Sequence, residues 1–207
     1  AYSQRYIDML KNVQEELNAF AKYVIIQARA NLTRGIKVGG KKRPKKDTGK
    51  LYNSLKYDLN VSKNSFGLDF IMAEYGIYQD AGVKGKDPSK VSPNSKIKGQ
   101  QAPNSKYRFG SGKTGNYKDF VLSLEKWAKR KNVRLRDKKG KFTKGNYKTI
   151  AHIIAGNIYN RGIKPSLFFT KPFKKAFKNL DKDIVKAFRL DVEALIKTTT
   201  KDNIKTK

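Results

Sequence analysis

The chain predicts an α+β fold: a long N-terminal helix and a C-terminal helix packed on a small antiparallel sheet, with extended basic loops and a helical insertion. Three observations predict it. Apolar residues step by three or four through residues 3–33, and again from Phe173 to Leu195. Between these ends apolar residues alternate twice, at Leu55, Tyr57, Leu59 and Val61 and at Phe66, Leu68, Phe70 and Met72. Positive charge gathers in three segments rich in Gly, Pro, Ser and Asn, a loop composition.

The first helix carries one stripe: Ile7, Leu10, Val13, Leu17, Phe20, Val24, Ala28 and Leu32. Ser3 is its expected cap and Gly35 its stop. A helix this long with a single stripe must lie across a sheet or a partner. Lys41-Lys42-Arg43-Pro44-Lys45-Lys46 cannot be core and reads as a solvated or anion-facing loop. Asp47-Thr48-Gly49-Lys50-Leu51 predicts a single helical turn leading into the alternating runs. Those runs, joined through Ser62-Lys63-Asn64-Ser65, predict an antiparallel hairpin with one buried face. Tyr75–Gly82 reads as a short extended piece ending in a Gly turn.

Residues 83–116 hold Pro88, Pro93 and Pro103 with almost no aliphatic side chains. So long a stretch without periodicity predicts a disordered segment or a contact arm that orders on docking. Asn116 with Asp119 caps a helix to about Asn132, with Phe120, Leu124, Trp127 and Ala128 inward. Asp137-Lys138-Lys139-Gly140 is a turn, and residues 146–161 a helix with Ile150, Ile153, Ile154 and Ile158 on one face. Thr170 caps the last helix, with Pro172 in its first turn and Phe173, Phe177, Leu180, Ile184, Phe188, Val192 and Leu195 as its stripe. The expected organisation is therefore a core from residues 1–82, a basic arm at 83–116, a helical insertion at 117–161, a C-terminal helix at 162–198 completing the core, and a polar tail at 199–207.

The charged share of 31% against 38% hydrophobic suits a compact core with long polar excursions. A net charge of +30 implies a polyanionic neighbour. Residues 34–50 hold eight Lys/Arg and one acid, 83–113 eight and one, and 126–148 eleven and one, which leaves the scaffold nearly balanced. The candidate contacts are Lys41, Lys42, Arg43, Lys45 and Lys46, with Lys129, Arg130, Lys131, Arg134, Arg136, Lys138, Lys139 and Lys141. Lys far outnumbers Arg, so any nucleic-acid contact is expected with the backbone rather than with base edges.

No catalytic, metal or cofactor site is expected. The chain has no Cys and a single histidine, His152, beside the apolar positions of a helix. Gly110-Ser111-Gly112-Lys113-Thr114-Gly115 lacks the spacing and the preceding strand of a phosphate loop. Asp119 and Glu125 fall on a predicted helix, not on the strand ends of a nuclease core, and Asp181 and Asp183 cannot share a helix face. No apolar run approaches the roughly 20 residues of a membrane span, and no basic-then-apolar signal pattern opens the chain. A soluble protein made and used in a cytoplasm is expected.

The order of elements carries a resemblance. Asp47-Thr48-Gly49-Lys50-Leu51-Tyr52-Asn53-Ser54-Leu55 resembles the T-G-x-L-x-x-S-[IL] segment of the tail-completion, or neck, proteins of long-tailed bacteriophages. Tyr75-Gly76-Ile77-Tyr78-Gln79-Asp80-Ala81-Gly82 is similar to that family's Y-x-x-[YF]-x-x-x-G segment, with Asp80 and Ala81 where Glu and Phe are frequent. The run from Gly162 to Phe173 is similar to its closing Pro-Phe element, and Trp127-Ala128-Lys129-Arg130-Lys131 to an insert of some tail and neck proteins. The longer cationic 83–113 segment and the helices of 117–161 depart from the family pattern. The resemblance implies a non-enzymatic virion protein that forms a homo-oligomeric ring around the DNA channel at the head–tail junction. Portal, adaptor or tail proteins would be its neighbours, with non-specific backbone contact to channel DNA and no membrane. A different class, a non-specific nucleic-acid-binding protein of ribosomal or nucleoid type, is the alternative that the charge alone suggests.

Overall fold

The N-terminal stripe folds as helix α1, Lys11–Arg34, burying Val13, Phe20, Ala21, Val24, Ile25, Ala28 and Leu32. The computed structural model describes residues 10–38, 41–43, 45–62, 65–93, 95–112, 115–137, 139–143 and 145–205, and the side chains of these except 36–38, 41–43 and 198–205. Ser3 and Ile7, the expected cap and first stripe position, lie outside them. The fold is α+β, and its packing forms two compact units, Ala1–Gly76 with Leu167–Lys207 and Ile77–Ser166.

In the first unit, β1 (Ile36–Val38) pairs antiparallel with β2 (Lys41–Arg43). Lys41–Arg43 is thus a strand rather than the expected loop. Helix α2 (Lys50–Ser54) is the predicted single turn. The hairpin of β3 (Lys56–Ser62) and β4 (Ser65–Ile71) pairs in the register Tyr57↔Phe70, Leu59↔Leu68 and Val61↔Phe66, so its apolar side chains share one half-buried face.

Helix α6, Thr170–Lys205, runs on through the expected polar tail to Lys205. It packs along α1, and Phe70 of the hairpin meets Phe169 and Phe173 edge-on at 5.2 and 5.8 Å. Phe20 of α1 closes the group at 5.7 Å from Phe173. The core beside it is Ile25, Ala28, Leu32, Leu51, Leu55 and Phe168. The predicted α6 stripe is only partly buried. Ala187 and Asp191 are the buried positions on its far half, while Phe177 and Phe188 are exposed.

The expected extended piece Tyr75–Gly82 is instead helix α3, Tyr75–Ala81, with Gly82 after it; the helix runs from the end of the first unit into the second. Gly76, where α3 begins in the first unit, leaves no room for a Cβ, which would stand 2.8 Å from both Leu51 Cδ1 and Met72 Sδ. After α3, β5 (Val83–Lys84) pairs with β6 (Gly162–Ile163), and α4 (Tyr117–Arg130) packs against α5 (Tyr147–Arg161). Asn116 caps α4 by accepting from the Asp119 amide at 2.8 Å, as its sequence predicts. The buried face of α5 is Ile150, Ala151 and Ala155; Ile153, expected inward, is exposed.

Residues 83–112 are not an extended arm. A chain without aliphatic anchors can still fold if its backbone groups find partners, and these do. Lys86 N–H donates to the Tyr159 carbonyl at 2.9 Å and Gln101 N–H to that of Arg161 at 2.8 Å, meeting the free carbonyls at the end of α5. The Gln100 side chain accepts from Gly85 N–H and donates to the Gly85 carbonyl. Ser105 Oγ donates to the Gly82 carbonyl at 2.7 Å, and Ala102 and Ser105 are buried. The expectation of a disordered segment or an arm that orders only on docking is corrected, for the described residues 83–112, by this folding-back within a single chain.

Candidate functional site

The sequence-predicted contacts divide between the two units. In the first, Lys41, Lys42 and Arg43 lie on β2, their side chains outside the described residues. Lys45 and Lys46 both donate their amides to the Leu32 carbonyl, at 2.9 and 3.0 Å. The Lys46 ammonium sits 4.2 Å from the Tyr52 ring centre and the Arg29 guanidinium 5.2 Å from it. These two cations are held by an aromatic face in the fold's own packing.

In the second unit, Lys129, Arg130 and Lys131 end α4, where cations complement the free carbonyls. Lys129 pairs with Glu125 at 3.0 Å. The chain then turns through Asn132, at φ 47°, and enters a small hairpin. Thr143 N–H donates to the Leu135 carbonyl at 3.0 Å, Asp137 N–H to that of Lys141 at 2.9 Å, and Gly140 N–H to that of Asp137 at 3.0 Å. Arg136 bridges antiparallel to Phe142. Asp137 is spent on the turn itself, its carboxylate accepting from Lys141 N–H at 2.9 Å.

Two of these cations lie around one ring. The Arg136 guanidinium lies 4.0 Å from the centre of Phe142 and that of Arg134 5.7 Å from it. Arg136 Nη1 donates to the Gly140 carbonyl at 2.9 Å. Arg134, Arg136, Lys139 and Lys141 are all exposed; Lys138 lies outside the described residues. Phe142 is the residue that sequence reasoning missed. The Asp137–Gly140 turn was legible, and counting the pairing back from it sets Arg136 against Phe142.

The segments that carry the family resemblance have structural roles. Thr48 Oγ1 accepts from Lys50 N–H at 3.4 Å, and Gly49 takes φ 83°. Leu51 and Leu55 are buried. Ser54 Oγ donates to the Leu51 carbonyl and accepts from Ala73 N–H, both at 2.9 Å, tying α2 to the end of the hairpin. Arg29 donates to the Tyr52 and Leu55 carbonyls at 3.2 and 2.8 Å. Among the described residues no group of His, Asp and Glu is placed to hold a metal ion, and no helix is long and apolar enough to cross a membrane.

Architecture and surface together define an α+β scaffold with a basic inserted unit: residues 77–166 carry twenty-two Lys and Arg against five Asp and Glu. Compared with known proteins, the chain matches no family model, no curated protein and no solved structure.

Proposed function

We propose that the protein is a structural component of a tailed-phage virion, a non-enzymatic subunit of a homo-oligomeric ring at the head–tail junction, in neck or tail-completion position around the DNA channel. It would be assembled in the host cytoplasm against portal, adaptor or tail proteins. The resemblance of four segments in the family's order supports this reading, and one observation carries it further. On α6 large apolar side chains are left exposed: Phe177, stacked on Phe173 at the edge of the core, is 57% exposed, Val185 69% and Phe188 52%. Large apolar side chains left exposed along one helix of a highly charged chain mark an association surface.

Sedimentation and negative-stain images of the purified protein test it. Annular oligomers are expected from the wild type, and monomers from Val185→Glu/Phe188→Glu with an unchanged circular-dichroism spectrum. A wild type that stays monomeric at about 100 μM, far above the range of specific interfaces, overturns the proposal.

A further inference from the structure

We infer that the hairpin Leu135–Thr143, with Arg134 just before it, is a preformed contact for the phosphate backbone of duplex DNA; the inference goes beyond ring assembly and does not rest on it. Four features carry it. Residues 126–148 hold eleven Lys/Arg and a single acid, Asp137. That acid is engaged with the turn amide of Lys141 at 2.9 Å, so it closes the hairpin rather than pairing with a cation. Arg134 and Arg136 are held over the exposed Phe142 ring at 5.7 and 4.0 Å, which limits the side-chain entropy lost on binding. Among the described residues the Arg136 bond to Gly140 and the 3.4 Å bond from Arg134 Nε to Asn132 leave both forks with further N–H donors for an outside acceptor.

An acidic protein would satisfy the charge but not the surface. Protein interfaces rest on an apolar centre depleted in Lys. Between residues 129 and 145 the only large exposed apolar side chain described is Phe142, a single ring flanked by two guanidiniums rather than an apolar centre. A phosphate backbone needs no apolar partner, only cations fixed along a line. Base-specific reading is not part of the contact.

The experiment is fluorescence anisotropy of the full chain with a labelled mixed-sequence duplex, titrated between about 50 and 300 mM KCl. Arg134→Gln/Arg136→Gln and Lys139→Gln/Lys141→Gln are compared with Lys45→Gln/Lys46→Gln. Each hairpin pair is expected to lower the slope of log K against log salt by about 2, because each lost phosphate contact removes roughly 0.9. The Lys45/Lys46 pair is expected to leave the slope unchanged, and Phe142→Ala to weaken binding roughly threefold at constant slope. The lysine pair has no side-chain bond among the described residues, so its result stands even if the arginine pair disturbs the hairpin. Absence of wild-type binding, an unchanged slope in both hairpin pairs, or equal competition by polyglutamate at matched charge overturns the inference. Loss of the ring without loss of this slope would sink the assembly proposal alone.

Discussion

At the start of α1 the amides of Asn12 and Val13 have no partner within the described part of that helix. Asp191 of α6 supplies it. Its carboxylate accepts from both backbone amides at 3.0 and 3.1 Å and from the Asn12 side chain at 2.6 Å. A carboxylate at a helix N-terminus meets free donors and the positive end of the dipole together. It is only 4% exposed, so removing it leaves buried donors unmet. Asp191→Ala is expected to cost about 1–2 kcal/mol, lowering the melting temperature by about 2–8 °C in a chain of this size. Asp191→Asn keeps an acceptor and should lose less, and calorimetry of the two variants checks the order. This residue was not legible in the sequence. A carboxylate three positions after Phe188 breaks the apolar stripe, and the partner that explains it lies 179 residues away.

At the scale of elements, period explains what was legible. The stripes of α1 and α6 and the alternation of β3 and β4 are long enough for one period to dominate, and each forms the predicted type of element over its described residues, although Phe177, Phe188 and Leu195 of the α6 stripe are exposed. Short elements were misread because other forces decide them. Tyr75–Ala81 contains Gly76 and three aromatic or β-branched residues, a composition that favours extended chain, yet it is helical. The 83–112 segment lacks a stripe because its order comes from backbone bonds to the end of α5. Such an arrangement needs close approach, and two glycines allow it. A Cβ on Gly85 would run into the Asn160 carbonyl and the Arg161 main chain, and one on Gly162, at φ 90°, into the Val83 carbonyl. Gly85→Ala is therefore expected to destabilise the inserted unit by roughly 3 kcal/mol. Hydrogen exchange would report it as lost protection over residues 83–112 and the last turn of α5. Protection in α1 and β3 should be unchanged; equal loss in both units would refute the assignment.

For the whole molecule, the division of charge and the division of packing coincide in part. The first unit contains the resemblance's T-G-x-L-x-x-S segment, its Phe-rich core and the exposed apolar side chains of α6, while the basic hairpin belongs to the inserted unit. The chain leaves the first unit at Gly76, against Leu51 and Met72, and re-enters at Leu167, next to Phe168 in the core that contains Leu51. Exit and re-entry therefore meet on one core, a geometry that a short flexible loop can close at little entropic cost. A chain in which residues 77–166 are replaced by about eight Gly and Ser residues is expected to fold with a cooperative melt and the helical signal of α1 and α6. It should also keep the self-association assigned to Phe177, Val185 and Phe188 while losing salt-dependent DNA binding. Retained DNA binding would move that contact to the first unit, which contains the cations of residues 41–46. Lost association would show instead that the inserted unit, and not the exposed side chains of α6, carries the contact between subunits.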